Sequence, residues 1–172
     1  MFKKYGVLFV ILFSLLRFNS LFASDELDPN NMARVRVFRE AVISLYPGEY
    51  CYGSGSPKVI HASKGVPSFF SYNTTIGMPV TEDTPKAYNE YAIAAGKPVA
   101  VMLQWQAEKN GQTASCGPIG AAFYPQAGRD YDVTIGYASS CYVQVRELYL
   151  IAPGKASAKR SPVGSSYACL ER

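Results

Sequence analysis

Four cysteines, Cys51, Cys116, Cys141 and Cys169, one histidine, His61, and a few carboxylates are the groups through which this 172-residue chain could do chemistry. Cysteines act as catalytic thiols, metal ligands or disulfides. No C-x-x-C spacing occurs, and one histidine does not complete a Cys/His zinc site with closely spaced ligands. An even number of cysteines in an exported chain favours disulfides, and four permit three connectivities. Cys116 and Cys141 fall in strands of one short stretch, so Cys116–Cys141 is the preferred pair. Cys51–Cys169 then joins the first third of the chain to its tail. The loop-entropy model credits each bridge with roughly 3–5 kcal/mol.

The remaining groups assemble no catalytic set. Nucleophilic hydrolysis needs a general base, and only His61, in the strand-like "KVIHAS", is available. No G-x-S-x-G elbow, phosphate loop or dinucleotide fingerprint is present. Paired carboxylates would suffice for glycoside hydrolysis. The close pairs are Glu82-Asp83, in the turn-like "VTEDTP", and Asp130/Asp132, on the expected outer face of a strand. Both are expected in solvent. Glu90 and Glu147 lie in strand-like surroundings with nothing to pair them. No catalytic, cofactor-binding or metal-ligating residue is therefore assigned, and a carboxylate-based hydrolase is the less favoured alternative to a non-enzymatic role.

The N-terminus, MFKKYGVLFVILFSLLRFNSLFASDELD, places Lys3 and Lys4 before an apolar run from Tyr5 to Leu16, then Leu21-Phe22-Ala23 before an acidic segment. This is the layout of a secretory signal peptide over residues 1–23, with a single domain at 24–172. The run is short of the roughly 20 residues of a membrane-spanning helix, so no stable span is expected after cleavage. No cysteine follows it for lipidation. A periplasmic or secreted location follows. Of 17 Lys plus Arg, Lys3, Lys4 and Arg17 leave with the leader, while all 13 Asp plus Glu remain; the mature charge is 14 − 13 = +1. A nearly neutral surface gives no case for a nucleic-acid partner. The one basic cluster, Lys155 to Arg160 (KASAKR), reads as a solvated loop.

Strand signals dominate the elements that must position these groups. "ARVRVF" (33–38) alternates Val35 and Val37 with Arg34 and Arg36, the period of a half-buried strand. Further candidates are 41–48, 58–62, 68–75, 88–96, 97–107, 113–125, 130–137, 141–152 and 165–170. Asn110-Gly111 is the strongest hairpin signal. In 130–137, Tyr131, Val133 and Ile135 would face the core, with Asp130, Asp132 and Thr134 outward. In 141–152, Cys141, Val143 and Val145 share the core face. Short strands with frequent turns predict an all-β sandwich or barrel, and an antiparallel sandwich stapled by two disulfides is the preferred form.

The mature chain keeps 12 of 13 tyrosines, grouped at Tyr46/Tyr50/Tyr52, beside Phe69/Phe70 at Tyr72, and at Tyr88/Tyr91. Tyrosine serves both strands and recognition surfaces. Phe69, Phe70 and Tyr72, in the irregular 65–90 region, form the candidate contact surface. Asn73-Thr74-Thr75 is a glycosylation sequon.

The "SCGP…FYPQAGRDYDV…CYVQV" run, the "EYAIAAGKPVAV" run and the "IGMP" loop, within residues 33–149, resemble segments of small exported proteins and lipoproteins of Gram-negative bacteria, a group mostly without assigned functions. The most specific part is Pro125-x-Ala127-Gly128-x-Asp130-Tyr131 followed by Cys141. The resemblance implies an envelope-associated sandwich of the immunoglobulin or prealbumin sort and carries over no catalytic residue. The motif also has a local physical reading. Pro125 stops a strand, Gly128 permits positive φ, and Asp130 accepts backbone hydrogen bonds in the turn. The expected function is a non-enzymatic binding protein of the envelope, of inhibitor or immunity type, whose partner is another protein or an envelope component. A structural module pairing through strand edges is the alternative.

Overall fold

Among the described residues ten strands, most of them rich in β-branched and aromatic residues, pair into two five-stranded sheets. The computed structural model describes residues 29–53, 58–64 and 73–169. The expected leader (1–23) and the expected contact residues Phe69, Phe70 and Tyr72 lie outside the described residues. After a 3-10 turn at Pro29–Asn31 come β1 (Met32–Phe38), β2 (Val42–Pro47), β3 (Ile60–Lys64), β4 (Tyr88–Ala94) and β5 (Val99–Lys109). Then follow β6 (Gln112–Phe123), β7 (Asp130–Tyr137), β8 (Cys141–Ala152), β9 (Lys155–Arg160) and β10 (Gly164–Ser166). Of the expected strand at 68–75, the described part contributes one bridge, Thr74 to Asn89.

Sheet A runs β4-β1-β7-β8-β9 and sheet B runs β10-β6-β5-β2-β3. Every pairing is antiparallel except β1 with β7. The inner face of sheet A presents Val35, Val37, Ile93, Tyr131, Val133, Val143 and Val145. Sheet B answers with Ile43, Leu45, Val99, Val101, Leu103, Ala121 and Phe123. Tyr131 meets Phe123 across the interior at 5.4 Å between rings, and its hydroxyl accepts the Gln126 N–H. This is a β-sandwich.

Two disulfides close it, in the expected pairing. Cys116–Cys141 joins β6 of one sheet to β8 of the other, with Cα atoms 6.2 Å apart; Cys51–Cys169 ties the segment after β2 to the chain after β10 at 5.0 Å. Gly117, beside Cys116, has φ +97, and a Cβ there would lie 2.4 Å from the Leu103 carbonyl. No other residue fits that bend. The Pro125–Tyr131 turn also forms, with Gly128 at φ +71. Asp130, however, gives its carboxylate to Arg34 at 2.6 and 2.7 Å rather than to the turn's backbone. The Lys155–Arg160 segment is not a loop but β9, because it pairs antiparallel with β8 from Ala152 to Arg146.

Candidate functional site

Register across sheet A builds a line of charges on its outer face. Glu90 on β4 stands opposite Arg36 on β1, Arg36 opposite Asp132 on β7, Asp132 opposite Arg146 on β8, and Arg146 opposite Arg160 on β9. Opposite charges facing across neighbouring strands attract. Arg36 donates to Glu90 at 2.9 Å and to Asp132 at 3.2 Å, and Arg146 reaches the other Asp132 oxygen at 3.2 Å. Arg36 also lies 4.9 Å from the Tyr88 ring centre.

Period-two alternation predicts Arg36, Asp130, Asp132 and Thr134 on the outward face, in solvent, and the structure corrects that. Arg36 and Asp132 are 0 % exposed, Glu90 is 2 % exposed, and Asp130 and Thr134 are buried. Over Arg36, Glu90 and Asp132 the cause is a strap, residues 73–87, laid across the outer face from β4 to β9. At the β4 edge, Ile76 and Met78 N–H groups donate to Glu90 at 2.7 and 3.2 Å. Over β1, the Gly77 carbonyl accepts from Arg34, and the Met78 and Pro79 carbonyls accept from Arg36 at 3.1 and 2.8 Å. At the far end Asp83 pairs with Arg146 on β8, and Glu82 lies 3.6 Å from Lys155 on β9. The Asn73 amide anchors the strap's start by donating to the Lys86 carbonyl at 2.8 Å. Buried charges demand such partners.

The cluster carries three carboxylates, Glu90, Asp132 and Asp83, on two guanidiniums, Arg36 and Arg146. Of the three carboxylates, Asp132 is fully buried. Burial pushes the Asp132 carboxyl up to about 6 despite Arg36 and Arg146. Burial also penalises Glu90, but the Ile76 and Met78 N–H groups and Arg36 outweigh it and hold that carboxyl below its usual range. The Thr81 hydroxyl and Arg146 hold Asp83 below its usual range as well. Where the strap ends, Thr81–Asp83, Arg146, Ile151 and Lys155–Ala158 line an open cleft of about 460 Å³.

The other feature of note is a tyrosine rim at the Cys51–Cys169 end of sheet B. Tyr50, Tyr124 and Tyr167 are 57 %, 53 % and 68 % exposed, with Val163 also exposed nearby in sequence to β10. The backbone is held at Tyr50 and Tyr167 although the rings are not covered. Ser166 donates to the Tyr50 carbonyl at 2.7 Å, and the Tyr167 carbonyl accepts the Tyr52 N–H at 2.9 Å. Tyr50 and Tyr124 meet edge to face at 5.8 Å, their hydroxyls hydrogen-bonded. Beneath them Tyr52 lies on Gly120, where any Cβ would come within 2.4 Å of the ring.

Of the groups weighed from sequence, His61 is exposed on β3 with Nδ1 3.3 Å from the Ser44 hydroxyl. Glu82 and Asp83 sit at the strap's end, while Glu90 and Asp132 meet through Arg36. Glu147 lies apart from these, with Lys159 and Arg129. Arg36, Arg146, Tyr124 and Tyr167 were not singled out. The signal for Arg36 was an arginine inside an apolar strand. The two tyrosines follow and precede turns, where strand periodicity says nothing. Comparison with protein-family models, with curated proteins and with solved structures found no match.

Proposed function

We propose that this chain is an exported, non-enzymatic binding protein that engages another protein or an envelope component through the tyrosine rim of Tyr50, Tyr124 and Tyr167. One observation carries the reading: these three rings stand more than half exposed, Tyr50 and Tyr167 on backbone held by a disulfide and a hydrogen-bonded tail, and Tyr124 packed against Tyr50. Exposed aromatic area on fixed backbone is what an interface anchor requires, since little conformational entropy remains to be lost on binding. Contiguous exposed apolar surface on a soluble domain marks a contact site. Two disulfides are compatible with an oxidising, extracytoplasmic compartment, as the leader-like N-terminus suggests. An inhibitor or immunity-type role fits such a module.

Affinity capture from native envelope and culture medium tests the reading. Three tagged proteins are compared: wild type, Tyr50→Ser/Tyr124→Ser/Tyr167→Ser, and Phe69→Ser/Phe70→Ser/Tyr72→Ser. A stoichiometric partner retained by wild type and lost by the first variant supports the rim. Loss only with the second variant moves the surface to 69–72. A partner held equally by all three overturns both.

A further inference from the structure

We infer that β9 is a docking edge for an extended, acidic segment of a partner protein, which adds to sheet A as a sixth strand. The inference is independent of the tyrosine rim, which lies on the other sheet. Three of the four sheet edges are engaged. Along β4, the Glu90 N–H bonds to the Thr74 carbonyl at 2.8 Å and the Tyr88 N–H to the Asn73 side chain at 3.2 Å. On β3, the Ala62 carbonyl accepts from Asn89 and Tyr91, both at 3.0 Å. β10 is three residues long and continues into Ala168, which bridges Tyr52. β9 ends the sheet with no strand or strap paired to its outer side among the described residues.

The hydrogen-bonding groups that β9 offers are set by its register. The Ser161 N–H donates to the Val145 carbonyl at 2.9 Å, which makes Ser161 a hydrogen-bonded partner of β8. Antiparallel pairing alternates, so Ala156, Ala158 and Arg160 direct their N–H and C=O groups away from β8. The alanines are small, which lets another backbone approach to the usual spacing of about 4.8 Å.

Charge selects the occupant. β9 reads KASAKR, three cations and no acid in six residues. Lys155 and Lys159 remain 60 % exposed; Lys155 meets Glu82 in a surface pair that a competing carboxylate displaces at little cost, and Lys159 lies beside the half-buried Glu147. Lysines on an edge repel basic strands and are costly to desolvate against neutral ones. The same lysines favour an acidic one, because specificity is the difference between the two. A second copy fits badly. Antiparallel overlap of two β9 strands puts Lys155 opposite Arg160, and parallel overlap puts Lys155 opposite Lys155. Strand addition takes its affinity from main-chain bonds and its selectivity from alternate side chains. The cleft lined by Ile151, Ala156 and Ala158 is placed to receive the apolar side chains of the added strand, while Glu82 and Asp83 in the same lining keep its acidic ones on the lysine side.

The test titrates the disulfide-bonded, ¹⁵N-labelled protein with acetyl-Glu-Val-Glu-Val-Glu-Val-amide and with its lysine counterpart. The acidic peptide should shift the amides of Ala156, Ala158 and Arg160, and the lysine peptide should not. Ala158→Pro removes one outward N–H without touching the β8 ladder, and should weaken binding about tenfold. Lys155→Glu/Arg160→Glu should reverse the preference between the peptides. The inference is overturned by no saturable shift at β9, by binding unaffected in Ala158→Pro, by both peptides binding alike, or by self-association through β9.

Discussion

Arg36 is the residue on which the outer face of sheet A depends. It holds two buried carboxylates and two strap carbonyls with one guanidinium. Removing one partner of a buried ion pair leaves the others uncompensated, so Arg36→Met should cost about 3–5 kcal/mol in chemical denaturation. Asp132 gives a pH signature. Its folded pKa, about 6, lies above the ordinary 3.8, so the native state binds its proton more readily than the unfolded chain. Stability from this group is therefore full below about pH 4 and lost as pH rises through 6. Asp132→Asn mimics the protonated form. The variant should match wild type at pH 4 and gain on it by up to about 3 kcal/mol by pH 7, read from urea midpoints across that range. Glu90 acts in the opposite sense, since its lowered pKa adds stability above the ordinary carboxylate range that is lost on acidification. A wild-type advantage that grows towards pH 7 would contradict burial as the cause of the raised Asp132 pKa.

Among the elements, β1 and β7 show how far sequence reading reaches. Val35/Val37 and Tyr131/Val133/Ile135 do face the core, because period two places them there whatever covers the other side. The fate of Arg36 and Asp132 was not legible, because it depends on a strap with no periodicity of its own. β9 was misread for a related reason: an edge strand of alanine, serine and cations has the composition of a loop, and only its ladder to β8 makes it a strand. The cysteines were legible because their number and setting constrain the chemistry. The tyrosine rim was half legible, since Tyr50 and Tyr52 stood out as a cluster but their meeting with Tyr124 and Gly120 is tertiary. Gly120 tests that meeting. Gly120→Ala places a methyl against the Tyr52 ring and the Ser166 carbonyl, at 2.4 and 2.6 Å. It should destabilise by about 1–3 kcal/mol and loosen the Tyr50–Tyr52 segment, seen as faster amide exchange at Tyr52 and Cys169.

For the whole molecule, the two bridges divide the work. Cys116–Cys141 pins one sheet to the other, and Cys51–Cys169 pins the tail against the rim. Cys116→Ser/Cys141→Ser should lower stability by about 2–5 kcal/mol. Intact-mass alkylation of wild type should find no free thiol before reduction and four after it, and a free Cys141 would overturn the pairing. The rim of Tyr50, Tyr124 and Tyr167 is the surface that the proposed function assigns to a partner. The decisive measurement is calorimetric titration of the captured partner with wild type and with Tyr50→Ser/Tyr124→Ser/Tyr167→Ser, both confirmed folded and fully disulfide-bonded. Loss of affinity by about 100-fold or more is the expected result. Equal affinity for the two proteins would contradict the rim as the binding surface.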